Sequence, residues 1–338
     1  MSQDIAHPRD VFDLDGQAGA ETAFLHALER GRLHHAWLLA GPEGVGKATF
    51  AFRAARRLLG AGPDPSHGAL GASPDDPICR QVSARSHPDL MVLQRHTEDG
   101  KPRKSIPVDE ARALPEFFSK SPATAPYRVA IIDAADDLNV NAANAVLKTL
   151  EEPPPRGVLL LVTHSPGGLL ATIRSRCRRL RFEAPPPDEA AAWVAARADV
   201  ADAAARRLLA MARGAPGRAW RLADAGALDI DDQARELLRD LPRVNDSAAL
   251  LIAEKFRGAE GAARFEMLFD RLADQIHAMA ADEALSGRSI SGQAQGGALD
   301  RWAEAHEMLT HMPREAEALN LDRADSFFTA LARLRAIA

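Results

Sequence analysis

Two short stretches carry residue types that handle phosphate. Gly41–Lys47 reads GPEGVGK, and Asp133 closes the apolar run Val129–Ile132. The first fits the G-x-x-x-x-G-K spacing of a phosphate loop. Glycines let backbone N–H groups turn inward around an anion, a following helix adds partial positive charge, and Lys47 reaches the terminal phosphates. A carboxylate at a strand's carboxyl end, as at Asp133, stands where open α/β sheets place ligand chemistry. In a nucleotide hydrolase it would hold Mg²⁺, directly or through water.

Two residues that such chemistry needs are replaced. The position after Lys47 calls for a Ser or Thr hydroxyl on Mg²⁺ and is Ala48; Thr49 comes one place late. One residue is about 100° of helix rotation, so Thr49 is expected to point elsewhere. The position after Asp133 calls for a Glu that orients the attacking water and is Ala134. A methyl group cannot accept a proton. The frame of a nucleotide hydrolase is present without its general base, and a glycine-rich turn that holds nothing is the alternative reading of the loop.

The elements that must position these residues follow from local pattern. Ala36–Ala40 (AWLLA), Asp89–Leu93, Val129–Ile132 and Gly157–Thr163 (GVLLLVT) are short apolar runs of the kind buried on both faces of a parallel sheet. Helices are expected over Glu21–Gly31, Ala48–Leu59, from an N-cap at Asp109 to Ser119, and Val140–Leu150, the last stopping at three prolines. Residues 1–20 read as an irregular lead-in and Gly60–Pro88 as a surface excursion, with Cys79, His67 and His87 as exposed loop residues. Arg95–Lys104 reads as a polar loop whose Lys101, Arg103 and Lys104 are solvated. Leu169–Ile173 reads as a short helix or turn, and Cys177–Phe182 alternates like an edge strand. Pro185–Pro187 marks a first domain boundary and the region 225–232 a second. Beyond it the periodicity is helical, with a break at Ser286–Gly297.

Composition narrows the class. The chain has 338 residues, enough for two or three domains, and is 46% hydrophobic and 26% charged. A net charge of −5 gives no global nucleic-acid footprint. Two cysteines far apart in sequence make no disulfide framework, which fits a cytoplasmic protein. No run of about 18 apolar residues predicts a membrane span, and the acidic N-terminus lacks the apolar core of a signal peptide.

The run Asn144–Pro154 (NAVLKTLEEPP), then Ile173–Cys177 (IRSRC), with Gly41–Lys47 upstream, resembles the bacterial clamp-loader AAA+ ATPases over essentially the whole chain. The resemblance implies a doubly wound, mostly parallel α/β P-loop AAA+ module over 1–184, a small helical lid over 185–228, and an all-α collar over 229–338. It implies a five-subunit hetero-oligomer that opens a ring-shaped sliding clamp and sets it on primed DNA, with ATP between neighbouring subunits. The implied partners are the gamma/tau and delta subunits of the loader, the clamp, and DNA through the assembly. Arg176 of the Ser175-Arg176-Cys177 motif would be an arginine finger inserted into a neighbour's site. A guanidinium there neutralises charge on the transferring phosphoryl, an effect of about 10³–10⁵ in rate. The implied nucleotide site comprises Gly41, Gly44, Gly46, Lys47, Ala48, Thr49 and Asp133, with Thr163 as first sensor and Arg218 as second. It would take ATP or ADP with weak Mg²⁺ binding, and no zinc, since Cys79 stands alone where motor subunits carry a cysteine quartet.

With Ala48 and Ala134 beside an intact Arg176 motif, the expected role is a subunit with no ATPase of its own that acts on a neighbour. The alternatives are an active motor in which Asp136 or Asp137 replaces the missing Glu, and a stand-alone P-loop regulator. Lys148 is read as a solvated helix lysine rather than a DNA contact.

Overall fold

The computed structural model describes residues 6–95, 97–98, 101–103, 105–241, 245–286 and 298–337. The chain divides into two compact units, Met1–Arg221 and Leu222–Ala338.

In the first unit the strands are β1 (Ala36–Ala40), β2 (Leu90–Gln94), β3 (Thr97–Glu98), β4 (Lys101–Pro102), β5 (Arg128–Asp133), β6 (Gly157–Thr163) and β7 (Arg178–Arg181). Five of them form one parallel sheet in the order β2-β5-β6-β1-β7. β3 and β4 pair as a two-residue antiparallel hairpin inside the expected polar loop; Lys104 lies outside the described residues. Every residue of β1 and β6 is buried, as their unbroken apolar sequences require. The register sets Ala40 beside Thr163 and Gln94 beside Asp133, so the carboxyl ends of the strands share one edge of the sheet.

The helices of this unit are α1 (Ala18–Glu29), α2 (Lys47–Leu58), α3 (Pro77–Ser83), α4 (Val108–Arg112), α5 (Leu114–Ser119), α6 (Val140–Glu151), α7 (Ala171–Arg176), α8 (Pro187–Ala198), α9 (Asp202–Met211) and α10 (Pro216–Asp224). Two apolar clusters cover the sheet. One joins Phe24, Trp37, Phe50, Leu58 and Ile131; the other joins Leu38, Ile132, Val146, Leu161 and Ile173. Asn139 caps α6 by accepting from the Ala142 N–H at 2.9 Å.

Three local expectations are corrected. The single helix from Asp109 to Ser119 is two, α4 and α5, sharing Ala113 at their junction. Pro107 holds the N-cap place, and Asp109 sits in the first turn. Pro115 explains the restart, because a proline fits a helix's first turn but removes a donor from its interior. Gly60–Pro88 is not wholly a surface loop. It contains α3, and Cys79 is fully buried against Ala61 and Ala72, which pushes its thiol up to about 11. His87 is buried too, its Nδ1 accepting from the Asp89 N–H. His67 alone of the three keeps partial exposure, paired with Asp13 at 2.7 Å.

Asp89, at the amino end of β2, is the unexpected polar residue of the core. Fully buried, it accepts the N–H groups of Ala123, Thr124 and Ala125 at 2.8–3.1 Å and pairs with Arg128 at 3.2 Å. Burial opposes its ionisation, but these donors hold its carboxyl below the usual range.

The second unit holds α11 (Ala227–Arg239), α12 (Asp246–Ala253), α13 (Gly258–Ser286), α14 (Ala298–Ala318) and α15 (Arg323–Ile337). Phe265, Leu268, Phe269, Leu272, Phe327 and Leu331 are buried in its own core, with Phe328 packed against it, so these apolar residues fill the unit itself. Of the expected break at Ser286–Gly297, Ser286 ends α13 and 287–297 lie outside the described residues. No described helix is long and apolar enough to cross a membrane.

Candidate functional site

Gly41–Gly46 joins β1 to α2 as the motif requires, and each glycine there answers to a geometric demand. Gly44 and Gly46 have φ of +85° and +93°, a region L-residues adopt at a cost. A methyl group on Gly41 would lie 2.2 Å from the Phe182 carbonyl oxygen, and one on Gly44 would lie 2.4 Å from the Arg218 nitrogen. The loop is clamped from the start of α10, where the Gly217 N–H donates to the Gly44 carbonyl at 2.9 Å. Gly46 occupies the N-cap place of α2 with no side chain to satisfy the first N–H groups, which leaves them for an anion.

Lys47 is buried at the base of the loop, its Nζ donating to the carbonyls of Gly41, at 2.6 Å, and Pro42. Burial pulls its pKa down to about 8, against the pull of Glu43, Asp133 and Asp136. Asp133 ends β5 beside it, raised to about 6 by burial even with Lys47 near. A cation and a carboxylate with their pKa values pushed toward each other mark a desolvated site.

These groups line a cavity of about 560 Å³. Its wall includes Gly44, Gly46, Lys47, Ala48, Thr49, Asp133 and Ala134. Thr49, expected to point elsewhere, therefore borders the same space as Ala48. Gly41 supports the loop through its approach to Phe182 and does not line the cavity. Thr163 is fully buried and does not line the cavity, while His164 does. His164 titrates below its usual value because of burial and the charge of Lys47.

Of the two carboxylates weighed as substitute bases, Asp136 is taken up outside the cavity, while Asp137 lines it with its partner Arg95. Asp136 accepts from the Thr163 hydroxyl at 3.0 Å and from the N–H groups of His164 and Ser165 at 2.7 and 2.9 Å, tying the end of β6. Asp137 pairs with Arg95 at 2.9 Å. Ala134, the position that should carry the base, is 5% exposed.

The structure brings in residues that the sequence reading passed over. The lead-in lines the cavity through His7, Pro8, Val11 and Leu14. It is pinned by Arg56 of α2, buried, donating to the carbonyls of Arg9 and Val11 and stacked 3.9 Å over Phe12. Trp193 of α8 and Trp220 of α10 meet edge to face with centroids 5.9 Å apart, and Arg197 stands over both rings. Trp193 donates to Asp15 at 2.9 Å. Two of only four tryptophans in a chain with 5% aromatics were a readable signal. Of the arginines of α10 it is Arg221 that lines the cavity, paired with Glu43 at 2.6 Å; Arg218, at the start of the helix, is near Gly44 through its backbone.

The glycine cradle, the uncapped α2 terminus and the buried ammonium fit the phosphates of a nucleotide. Ala48 offers no oxygen for a metal ion, which leaves Asp133 as the carboxylate nearest that role.

Arg176 lies outside this cavity. It ends α7, ahead of the edge strand β7, which pairs on one side with β1. Its guanidinium is half-exposed, donating to the Thr172 carbonyl at 3.1 Å and pairing with Glu151 at 3.1 Å. Cys177 beside it packs against the core, and burial pushes its thiol up to about 12, so it is inert as a nucleophile.

A family model described as "DNA polymerase III, delta subunit" matches residues 16–186. The chain is 36% identical to the DNA polymerase III subunit delta' of Pseudomonas aeruginosa, over 71% of this chain and 70% of that protein. It is 35% identical to the DNA polymerase III subunit delta' of Escherichia coli, over 57% of this chain and 56% of that protein. Among solved structures, a DNA polymerase III gamma subunit-related protein from Thermotoga maritima aligns with a TM-score of 0.48 at 17% identity, over 93% of this chain and 99% of that one.

Proposed function

This chain belongs to the DNA polymerase III, delta subunit family, and from that premise we propose how its two functional regions divide the work. It is a subunit of the DNA polymerase III clamp loader, of the delta-prime type. Its own cavity binds the phosphates of ATP or ADP, with little help from Mg²⁺, and does not hydrolyse them. Its Arg176 completes the site of a neighbouring ATPase subunit of the gamma/tau type. The delta subunit, the sliding clamp and primed DNA are its further partners through the assembly, and it works in the cytoplasm. Within the chain, residues 1–184 act as the AAA+ module, 185–228 as a lid over the nucleotide, and 229–338 as the collar.

One observation carries this reading. Ala134 stands where a water-orienting carboxylate belongs; of the nearby candidates to replace it, Asp136 is bound to the end of β6, and Asp137, on the cavity wall, is paired with Arg95. Phosphoryl transfer rests on positioning and electrostatic stabilisation, so losing the Mg²⁺ hydroxyl and the base together removes most of what catalysis consists of. Lys47 and the glycine cradle remain, and they serve binding rather than turnover. Arg176 supplies what a neighbour lacks: an always-charged, planar fork suited to phosphate oxygens.

The test is reconstitution. Gamma/tau-type subunits assembled with this chain hydrolyse ATP on primed DNA, and the same assembly with Arg176→Ala loses the share of that activity that the site next to this chain contributes. Unchanged hydrolysis in the variant would remove the trans role. A chain that stays monomeric in the presence of loader subunits would favour the stand-alone regulator instead.

A further inference from the structure

The two signature segments of the first unit, separated in sequence, meet at one ion pair. Glu151 ends α6, and Arg176 ends α7. Each is held by an adjacent buried anchor: Leu150 beside Glu151 and Ile173 one turn before Arg176 both sit in the same apolar cluster. The two helix ends are thereby fixed relative to each other, and the Glu151 carboxylate stands 3.1 Å from an Nη of Arg176. The other Nη donates to the Thr172 carbonyl at 3.1 Å, one turn back on the same helix.

We infer that Glu151 is a positioning residue for Arg176: with the Thr172 carbonyl it fixes the guanidinium plane, so that the remaining donors present a preset edge to a phosphoryl group on a neighbouring subunit. This rests on the trans role of Arg176 proposed above. A guanidinium has five N–H donors. The Thr172 carbonyl takes one from one terminal nitrogen, and the Glu151 carboxylate lies in ion-pair contact with the other nitrogen. The others stay available for phosphate oxygens, which Arg engages two at a time. A long side chain free to rotate loses conformational freedom when it docks, and holding it in place beforehand removes that loss. Because the pair is half-exposed, its contribution is modest, and it does not sequester the charge that the finger delivers.

The experiment compares steady-state ATP hydrolysis by the full reconstituted loader, its motor sites inactivated except the one that Arg176 serves, with wild-type chain, Glu151→Ala, Glu151→Gln, Arg176→Ala and the double variant Glu151→Ala/Arg176→Ala. Glu151→Ala lowers kcat about three- to fivefold, the range a half-exposed ion pair supports, and leaves KM for ATP in place. That pattern marks an interaction used in the transition state. Glu151→Gln, which keeps an acceptor at the same reach, recovers at least half of the lost rate. In the Arg176→Ala background, Glu151→Ala has no further effect. Full activity in Glu151→Ala alongside a large loss in Arg176→Ala overturns the positioning role and leaves the finger standing. An equal loss from Glu151→Ala with and without Arg176 also overturns it, since the residue would then act through fold or assembly. Full activity in Arg176→Ala overturns the finger, and the positioning role with it.

Discussion

The cavity above the sheet and the exposed end of α7 are opposite cases of what a site can lose. The cavity keeps its shape: positive-φ glycines, a buried lysine, a carboxylate at a strand end and a wall of aromatic residues. It lacks an oxygen at Ala48 and a base at Ala134. The end of α7 lies outside that cavity, yet Arg176 there carries a group that phosphoryl transfer can use. A site's form and its chemistry are thus separable. Form rests on backbone and burial, spread over many residues, while chemistry rests on single side chains.

The largest effect expected from breaking this contrast is at Arg176. Its change to Ala lowers turnover at the one neighbouring site it serves by about 10³-fold or more, read as kcat at saturating ATP in a loader whose other motor sites are inactivated. Lys47→Ala acts in the other region: it weakens nucleotide binding to the isolated chain at least tenfold, an order-of-magnitude figure for a charge-assisted phosphate contact, measured by titration with labelled nucleotide.

Asp89 separates loss of fold from loss of chemistry, because it lies at the amino ends of the strands, away from the cavity. Asp89→Ala leaves Arg128 without its counter-ion and three backbone N–H groups without their acceptor, and costs about 3–5 kcal/mol of stability in denaturant unfolding. Since its folded pKa lies below the unfolded value, its contribution is present above the unfolded pKa. That contribution is lost as pH falls through the folded value, and an acid-unfolding curve with the variant as reference reads it directly.

The architecture was legible because its signals are local. GVLLLVT, short, apolar and bounded by turn residues, reads as a doubly buried strand, and Asp133 at the end of an apolar run marks the ligand edge of a parallel sheet. The cavity wall was legible in part. Lys47 and the glycines announce themselves by spacing, but His7, Val11 and Leu14 reach the site only because Arg56, on another element, pins the lead-in. The engagement of Asp136 with Thr163 and the meeting of Glu151 with Arg176 are tertiary contacts with no sequence period to betray them. Thr49 borders the cavity with Ala48 although the two stand about 100° apart on α2.

Two smaller effects sharpen the picture of the cavity. With Lys47 at about 8, nucleotide affinity falls as pH rises above that value, because the ammonium loses its charge. The same shift has the opposite sign for folding. Between about 8 and the ordinary lysine value of 10.5 the unfolded chain binds the extra proton, so stability rises with pH across that window. Calorimetric unfolding and nucleotide titration on one pH series check both signs together. The smallest effect is at Arg221, whose pair with Glu43 is half-exposed. Arg221→Ala changes stability by less than about 1 kcal/mol, and it lowers nucleotide affinity more than Arg218→Ala does, since Arg221 is the arginine of α10 that lines the cavity.

The most direct test is ATP turnover by the purified chain alone, with Mg²⁺ and with Lys47→Ala as the control. The division between a binding cavity and a lent arginine predicts no turnover above that control. Robust turnover that Lys47→Ala abolishes would mean that a base other than residue 134 works in the cavity and that the chain is itself a motor.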